Sequence, residues 1–234
     1  TNTGAIDPIE PLAVIAKKYN LWLHVDAAYG GFFKLVTKMA LPFKGIEMAD
    51  SITLDPHKTL FLPFGTGAIL VKNKEALFKV HHYLADYMQD TADANEEISP
   101  ADISPELTKH FRGMRLWLPL KLFGLKPFRA ALEEKLHLAR YFYDEIQKVE
   151  GFDVGPEPEL SVAIFRYIPK NEEANAFNQK LVKTIQEDGR IFLSSTTING
   201  ILWIRVAVVA FRTHIEQIDL LLLILKEQVD NISN

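Results

Sequence analysis

The spacing of hydrophobic residues along the first eighty positions switches between a helical and a strand-like period. Asp7-Pro8-Ile9-Glu10 places an N-cap residue, a first-turn proline and a capping-box acid in the order that begins a helix. Leu12, Ile15 and Ala16 continue that helix to Tyr19-Asn20. Short apolar runs then predict strands, with a partly helical segment at 43–48; these strands are Leu21–Val25, Ser51–Leu54 and Gly67–Val71. The alternation predicts an α/β fold with a parallel or mixed sheet covered on both faces.

The pattern changes at about residue 84, where the chain becomes polar and acidic up to residue 104. A segment of this length without regular hydrophobic spacing predicts a long mobile loop. Pro105 then begins a helical pattern that continues to Gly124. Because Pro119 lies inside that pattern, a kink or a break is expected there.

A second set of helices and strands fills the rest of the chain. Lys126-Pro127 begins a long amphipathic helix whose apolar face carries Leu132, Leu136, Ala139, Phe142 and Ile146. Further strands are predicted at Phe152–Val154, Val162–Arg166, Ile191–Leu193 and Ile201–Val206, and helices at Asn175–Asp188 and His214–Val229. This order predicts a small α+β domain over residues 125–234, after a first domain over residues 1–124.

Composition removes several classes of function. The 234 residues are 48% hydrophobic and 24% charged with a net charge of −4, and no basic stripe or polybasic cluster points to nucleic acid or to a membrane surface. There is no cysteine, and the adjacent His81 and His82 point to different faces, so no metal site is expected. No apolar run reaches the roughly 20 residues that cross a bilayer, and no signal peptide is recognisable. We therefore expect a soluble, cytoplasmic protein.

Two residues in the first domain suggest a specific chemistry. Asp26 ends an apolar run, and Lys58 follows the next predicted strand in the turn Asp55-Pro56-His57-Lys58. A pyridoxal phosphate (PLP) enzyme needs such a pair: a lysine that forms a Schiff base, and a carboxylate that keeps the pyridine nitrogen protonated. Their interval of about thirty residues fits one strand, a crossover and the next strand, which would bring both to one sheet edge. Taken singly, Asp26 is better explained as a cap of the next turn, and Lys58 as an ordinary lysine at the end of a strand.

A family resemblance is carried by longer segments. His24-Val25-Asp26-Ala27-Ala28-Tyr29-Gly30-Gly31 and Asp55-Pro56-His57-Lys58 resemble the two signature segments of the group II PLP-dependent amino-acid decarboxylases. Thr1-Asn2-Thr3-Gly4 resembles that family's Gly-Thr-Thr segment entered part-way, and Phe111–Trp117 resembles the exit helix of its large domain. The resemblance implies a fold of the aspartate aminotransferase type (fold type I). Residues 1–124 would then be the C-terminal part of the large PLP-binding domain, and 125–234 its small domain.

The resemblance also implies roles for single residues. Lys58 would bind the PLP aldehyde and Asp26 would pair with the pyridinium nitrogen. Ala28 would touch the ring face, Thr1 would lie beside the cofactor, and His57 would be next to its phosphate or the Schiff base. Asp55 falls in the same cofactor segment but departs from the pattern, because many relatives have asparagine there.

Two residues outside the signatures complete the candidate site. Tyr87 aligns with a loop tyrosine that returns a proton to the substrate after CO2 leaves, with Tyr83 as a rival for that alignment. Arg205 interrupts an apolar strand and therefore needs a partner, either a structural acid or a substrate carboxylate.

The implied activity is decarboxylation of an L-amino acid, by family likeness an aromatic one, to its amine and CO2. Members of the family are about twice as long and form homodimers, so the resemblance implies a missing N-terminal half and a second subunit as partners. Two alternatives stay open. One is an aldehyde synthase or carbon–carbon lyase of the same fold, and the other is a non-catalytic fragment that is inactive without the missing half.

Overall fold

Two separate sheets organise the part of the chain that the computed structural model describes, residues 1–82 and 99–233. The first sheet has the order β1 (His24–Asp26), β2 (Ser51–Leu54) and β3 (Ala68–Val71). Strand β1 runs parallel to β2, with Asp26 opposite Thr53, and β3 runs antiparallel to β2. The prediction of a mixed sheet in an α/β fold is therefore confirmed. The strand predicted at Leu21–Val25 is shorter and begins three residues later.

Helix α1 (Ile9–Lys18) precedes β1 and differs from its prediction at both the start and the buried face. Pro8, not Asp7, occupies the N-cap position, and no side chain caps the helix. The buried residues are Ile9, Ala13 and Ala16, whereas Leu12 and Ile15 are exposed. The sequence carries two apolar stripes, and only the one formed by Ile9, Ala13 and Ala16 is buried against the described residues. Short 3-10 turns at Gly31–Leu35, Thr37–Met39 and Ile46–Met48 connect β1 to β2.

The expectation that both faces of the first sheet are covered is wrong for the described residues. Ile69 and Leu70 in β3 are 56% and 55% exposed. Because neighbouring residues of a strand point to opposite faces, both faces of β3 are open. Helix α2 (Lys74–His81) follows β3 and contains no buried residue.

Helix α3 (Gly113–Phe123) begins eight residues later than the helix predicted from Pro105. Pro119 lies inside it, but the helix continues to Phe123, so the predicted break does not occur. Trp117, Leu122 and Phe123 are all more than half exposed. The predicted loop 84–104 lies largely outside the described residues, and its last residues, 99–104, form turns.

The second sheet is wholly antiparallel, with the order β4 (Phe152–Val154), β5 (Val162–Tyr167), β7 (Ile201–Ala207) and β6 (Ser194–Ile198). The helices that pack with it are α4 (Lys126–Ile146), α5 (Ala174–Asp188) and α6 (Ile215–Ser233). These elements confirm the α+β pattern, except that β6 replaces the strand predicted at Ile191–Leu193. Strand β6 reads Ser-Ser-Thr-Thr-Ile, which lacks the apolar alternation that marks a strand in sequence.

Helix α4 contributes to both hydrophobic cores of the described residues. Leu132 and Leu136 pack in a cluster with Phe33 and Phe43 of the first region. Ala139, Phe142 and Ile146 pack in the cluster of the second sheet. The domain boundary after residue 124 stays a prediction, because α4 holds the two regions together. In the described ranges, no helix is both long and apolar enough to cross a membrane.

Candidate active site

A cavity of about 920 Å3 lies where the residues that follow β1 and β2 approach strands β5 and β7. The described candidate residues at its wall are Thr1, Asp26, Ala28, His57, Lys58 and Arg205. Asp55 does not line the cavity. The two sequence segments that carry the candidate chemistry therefore meet at one concave surface.

Asp26 is the last residue of β1, and its side chain takes part in the following turn. Its Oδ1 accepts a hydrogen bond of 3.1 Å from the backbone N–H of Ala28. Gly31 packs so closely on β2 that a Cβ there would clash with Leu54 and lie 2.9 Å from the Ala27 Cβ. The glycine therefore lets the turn after Asp26 lie flat against the sheet, so that Asp26 and Ala28 remain at the cavity wall.

Lys58 is held by an ion pair within its own turn. Its Nζ lies 2.6 Å from Oδ2 of Asp55, and its backbone N–H donates to the Asp55 carbonyl at 2.9 Å. The Lys58 side chain is 46% exposed and that of Asp55 is 17% exposed. The amine must leave this pair before it bonds to any ligand in the cavity. Asp55 acts here on Lys58 and does not face the cavity itself.

His57 presents an unpaired polar atom. Its Nδ1 is buried and finds no hydrogen-bond partner among the described residues. The ring packs edge-on against Phe64, with the centroids 5.5 Å apart. Burying an imidazole nitrogen without a partner is unfavourable, so this atom favours a ligand or a further segment that supplies one.

Arg205 reaches from β7 to the first residues of the chain. Its Nε donates to the Asn2 carbonyl at 2.8 Å, its Nη2 to the Thr1 carbonyl at 3.0 Å and its Nη1 to Ser194 Oγ at 3.3 Å. The prediction of a structural acid as its partner is wrong for the described residues, because all three acceptors are neutral. The guanidinium keeps its positive charge at the cavity wall, where it attracts an anion.

Tyr29 is a site residue that the sequence reasoning treated only as part of a motif. Its hydroxyl lies 2.8 Å from Ser161 Oγ and accepts from the Ser161 N–H at 2.9 Å, while its carbonyl accepts from Thr59 Oγ1 at 2.8 Å. Burial raises the pKa of the Tyr29 hydroxyl to about 12, against the opposing effect of the Ser161 hydrogen bonds. Tyr29 thus ties the Asp26 turn, the Lys58 turn and the start of β5 together. Ser161 had no recognisable signal in the sequence.

Tyr87, the candidate proton donor, and its rival Tyr83 lie outside the described residues. Their predicted role stays a prediction.

Comparison with known proteins relates the chain to one enzyme family. Residues 1–168 match the model of the pyridoxal-dependent decarboxylase conserved domain. An aromatic-L-amino-acid decarboxylase of Bacillus atrophaeus is 33% identical over the whole chain, which covers 50% of that protein. Tyrosine decarboxylase 2 of Arabidopsis thaliana is 31% identical over 89% of the chain and 39% of its own length. A phenylacetaldehyde synthase of Petunia hybrida is 29% identical over 94% of the chain and 46% of its own length.

A solved structure supports the same fold over the full chain. The crystal structure of Oryza sativa TDC with PLP and tryptamine superposes with a TM-score of 0.91 at 22% identity, covering 100% of this chain and 49% of that one. This chain spans about half the length of the relatives that it matches. The family model covers more than half of the chain and includes both signature segments. The chain therefore belongs to the pyridoxal-dependent decarboxylase family.

Proposed function

We propose that the protein to which this chain contributes catalyses PLP-dependent decarboxylation of an L-amino acid, releasing the amine and CO2. The observation that carries this proposal is the meeting of Asp26, His57 and Lys58 at one cavity in a chain of this family. Relatives named for aromatic amino acids support an aromatic substrate. The reaction class is that of a carboxy-lyase.

The residues at the cavity fit PLP by their chemistry. A carboxylate, a lysine amine and a buried unpaired imidazole nitrogen line a space whose remaining wall includes the small residues Ala27, Ala28 and Gly30. When bound, PLP supplies an aldehyde that joins an amino group and a ring that accepts the electrons released as CO2 leaves. The small side chains leave room for a flat ring, and the arginine and imidazole complement negative charge.

Each residue then has a distinct task. Asp26 would pair with the ring nitrogen and favour its protonated form, and Ala28 and Thr1 would border the ring. Lys58 would hold the cofactor through its amine, which must first leave the ion pair with Asp55. His57 donates or accepts a hydrogen bond at its Nδ1, which no described residue satisfies. Asp55 holds the free ammonium of Lys58 in the turn, and we include it in the cofactor segment for that reason.

Arg205 and Tyr87 act on the substrate in this proposal. Among the described residues Arg205 has neutral partners only, so it draws the substrate carboxylate into the cavity without losing an ion pair with any of them. Tyr87 returns a proton to the carbon that CO2 has left. Replacement Tyr87→Phe tests this task, because loss of the proton donor should lower amine release and, with dissolved O2 as the oxidant, turn the products towards aldehyde, ammonia and peroxide. Unchanged amine formation in that variant would remove Tyr87 from the mechanism.

The exposed apolar residues support two partners, the missing N-terminal half and a second copy of the enzyme. Ile69 and Leu70 leave both faces of β3 open, and Trp117 and Leu122 leave α3 largely uncovered by described residues. Surface of this kind on a sheet edge favours covering by further strands and helices. A homodimer completed by the preceding half, working in the cytoplasm, is the arrangement that we propose.

An aldehyde synthase is the second candidate, because the relatives include a phenylacetaldehyde synthase. Product analysis separates the two activities. Amine and CO2 without peroxide supports the decarboxylase, whereas aldehyde with peroxide and ammonia supports the synthase.

Borohydride reduction in the presence of PLP, followed by peptide mass mapping, tests the central claim. We expect a pyridoxyl group on Lys58 of the full-length protein, and none at that position in a Lys58→Arg control. Label on another lysine, or on none, would refute the role of Lys58. The same experiment on residues 1–234 alone tests the non-catalytic alternative, which predicts label only after the preceding half is added.

A further inference from the structure

Lys135 is a fully buried lysine that does not line the cavity. It lies in the middle of α4, with 1% of its surface exposed. Its Nζ donates to Glu134 Oε2 at 2.8 Å, to the Phe211 carbonyl at 3.2 Å and to the Thr213 carbonyl at 2.5 Å. All three ammonium donors therefore have acceptors, two of them backbone atoms of a distant segment. A buried charge with this complete set of partners holds α4 and the distant segment together.

Lys135 binds the segment 208–214, which connects β7 to α6. The segment lies between the end of β7 and the start of α6, outside both elements, and side chains of α4 bind it at several points. Besides the two carbonyls bound by Lys135, His214 Nδ1 lies 2.7 Å from Oε1 of Glu134. Two successive residues of α4 thus bind both the middle and the end of the segment. Val209, at its start, lines the cavity.

This segment contacts the turn that bears Lys58. The Phe211 ring packs on the Phe61 ring, with centroids 5.7 Å apart and an interplanar angle of 58°. Phe61 has a φ of 59°, a left-handed conformation that a side chain other than glycine adopts only when its surroundings impose it. Its N–H donates to the Lys58 carbonyl at 3.4 Å, so the strained residue closes the Lys58 turn. Phe61 also packs against the cluster that contains Leu132 and Leu136, the α4 residues on either side of Lys135 in sequence.

We propose that Lys135 is a positioning residue for Lys58. Its ammonium fixes the backbone of 211–213, the fixed segment holds the Phe211 ring on Phe61, and Phe61 keeps the Lys58 turn in its strained form. The consequence for PLP binding rests on the proposed function, but the mechanical connection from Lys135 to residues 56–62 does not.

Hydrogen–deuterium exchange of the full-length protein without PLP tests the connection directly. In Lys135→Met, which keeps the length of the side chain and removes its charge, we expect about tenfold faster exchange in 56–62 as well as in 208–214. Lys135→Arg, which keeps the charge and the donors, should restore slow exchange in 56–62. Lys148→Met is the matched control, because Lys148 also pairs with a glutamate but its side chain is 65% exposed; it should change neither segment.

A second variant keeps the test decisive if Lys135→Met does not fold. Phe211→Ala removes a ring that is 59% exposed and leaves the Lys135 hydrogen bonds in place. We expect it to speed exchange in 56–62 while the Lys135 contacts persist. If Lys135→Met loosens 208–214 but leaves 56–62 at the rate of the unmodified protein, or if Phe211→Ala leaves 56–62 at that rate, Lys135 only holds its own loop and the proposal is wrong.

Borohydride labelling tests whether Lys135 affects PLP binding at Lys58. It also distinguishes failure of the positioning role of Lys135 from failure of the proposed function. With PLP, Lys135→Met should show several-fold less label on Lys58 at equal protein, and Lys135→Arg should recover it. Equal labelling of Lys58 in Lys135→Met and unmodified protein would overturn the positioning role. Absence of label in the unmodified protein would refute the proposed function. The hydrogen–deuterium exchange result would then decide alone whether Lys135 positions residues 56–62.

Discussion

The region from α4 to α6 encloses its own hydrophobic core, whereas the region around β1, β2 and β3 leaves much of its apolar surface open. In the first of these, Phe142, Phe165 and Ile204 are completely buried. In the second, β3 exposes more than half of both Ile69 and Leu70. The open region nevertheless supplies most of the candidate chemistry, including Asp26 and Lys58.

This contrast indicates how stability and chemistry are divided along the chain. The C-terminal region has enough buried area to be ordered by its own packing, because helices α4, α5 and α6 cover one sheet. The site region depends on contacts brought to it, among them Ser161 on Tyr29 and Phe211 on Phe61. A site assembled from turns needs such supports, since turns carry little core of their own.

The largest effect should come from Lys58 in the open region. Lys58→Ala in the full-length protein removes the amine proposed to bind the cofactor aldehyde, so we expect amine release to fall by roughly a thousandfold or more. Thermal stability should change little, because the Lys58 side chain is 46% exposed. Lys183→Ala, an exposed lysine of α5, is the control for a lysine without a role in the site. Activity within tenfold of the unmodified enzyme would contradict the assignment.

The largest stability effect should come from the closed core. Phe165 is fully buried and packs edge-on against Phe142, with centroids 5.1 Å apart. Phe165→Ala should therefore lower the free energy of unfolding by about 3–5 kcal/mol in urea denaturation. Phe192→Ala is the matched control, because Phe192 is 78% exposed and its loss should cost less than about 0.5 kcal/mol. Equal losses in the two variants would mean that this core is not closed.

The same contrast explains what the sequence could predict. The buried face of α4 follows a clear helical period, and all five residues expected there are buried. In the open region, α1 buries Ala13 and leaves Leu12 and Ile15 uncovered by described residues. Hydrophobic spacing predicts that a face will be covered, but it does not say by which segment.

The site was predictable where chemistry is local and unpredictable where it depends on distant partners. Asp26 and Lys58 stand in short motifs at strand ends, so their meeting at one cavity could be anticipated. The hydrogen bonds from Tyr29 to Ser161, and from Lys135 to the 211–213 backbone, join residues that no sequence spacing relates. Of the two partners considered for Arg205, the structural acid is not found among the described residues. Backbone carbonyls, which have no sequence signal, accept its hydrogen bonds instead.

The stability of the protein above pH 10 tests the contact between Tyr29 of the site region and Ser161 beside β5. The pKa of Tyr29 is raised to about 12 in the folded protein from an ordinary value of 10.0, so its stabilising effect is complete below pH 10 and is lost as the pH rises towards 12. The shift corresponds to about 2–3 kcal/mol of unfolding free energy over that interval. Tyr29→Phe should remove this part of the pH dependence, whereas Tyr19→Phe, at a residue 62% exposed, should keep it. Parallel pH profiles for all three proteins would show that Tyr29 is not buried as described.

The smallest stability effect is expected at Leu70, and it tests whether β3 is covered in the full-length protein. Leu70 is 55% exposed in β3, so Leu70→Ala should change the unfolding free energy of residues 1–234 by less than about 0.5 kcal/mol. If the preceding half of the enzyme covers β3, the same substitution in the full-length protein should cost about 2 kcal/mol or more, the usual price of truncating a buried leucine. Asp230→Ala, on an exposed position of α6, should give the same small value in both proteins. An effect of Leu70→Ala that does not grow with the longer chain would mean that β3 is a true outer edge.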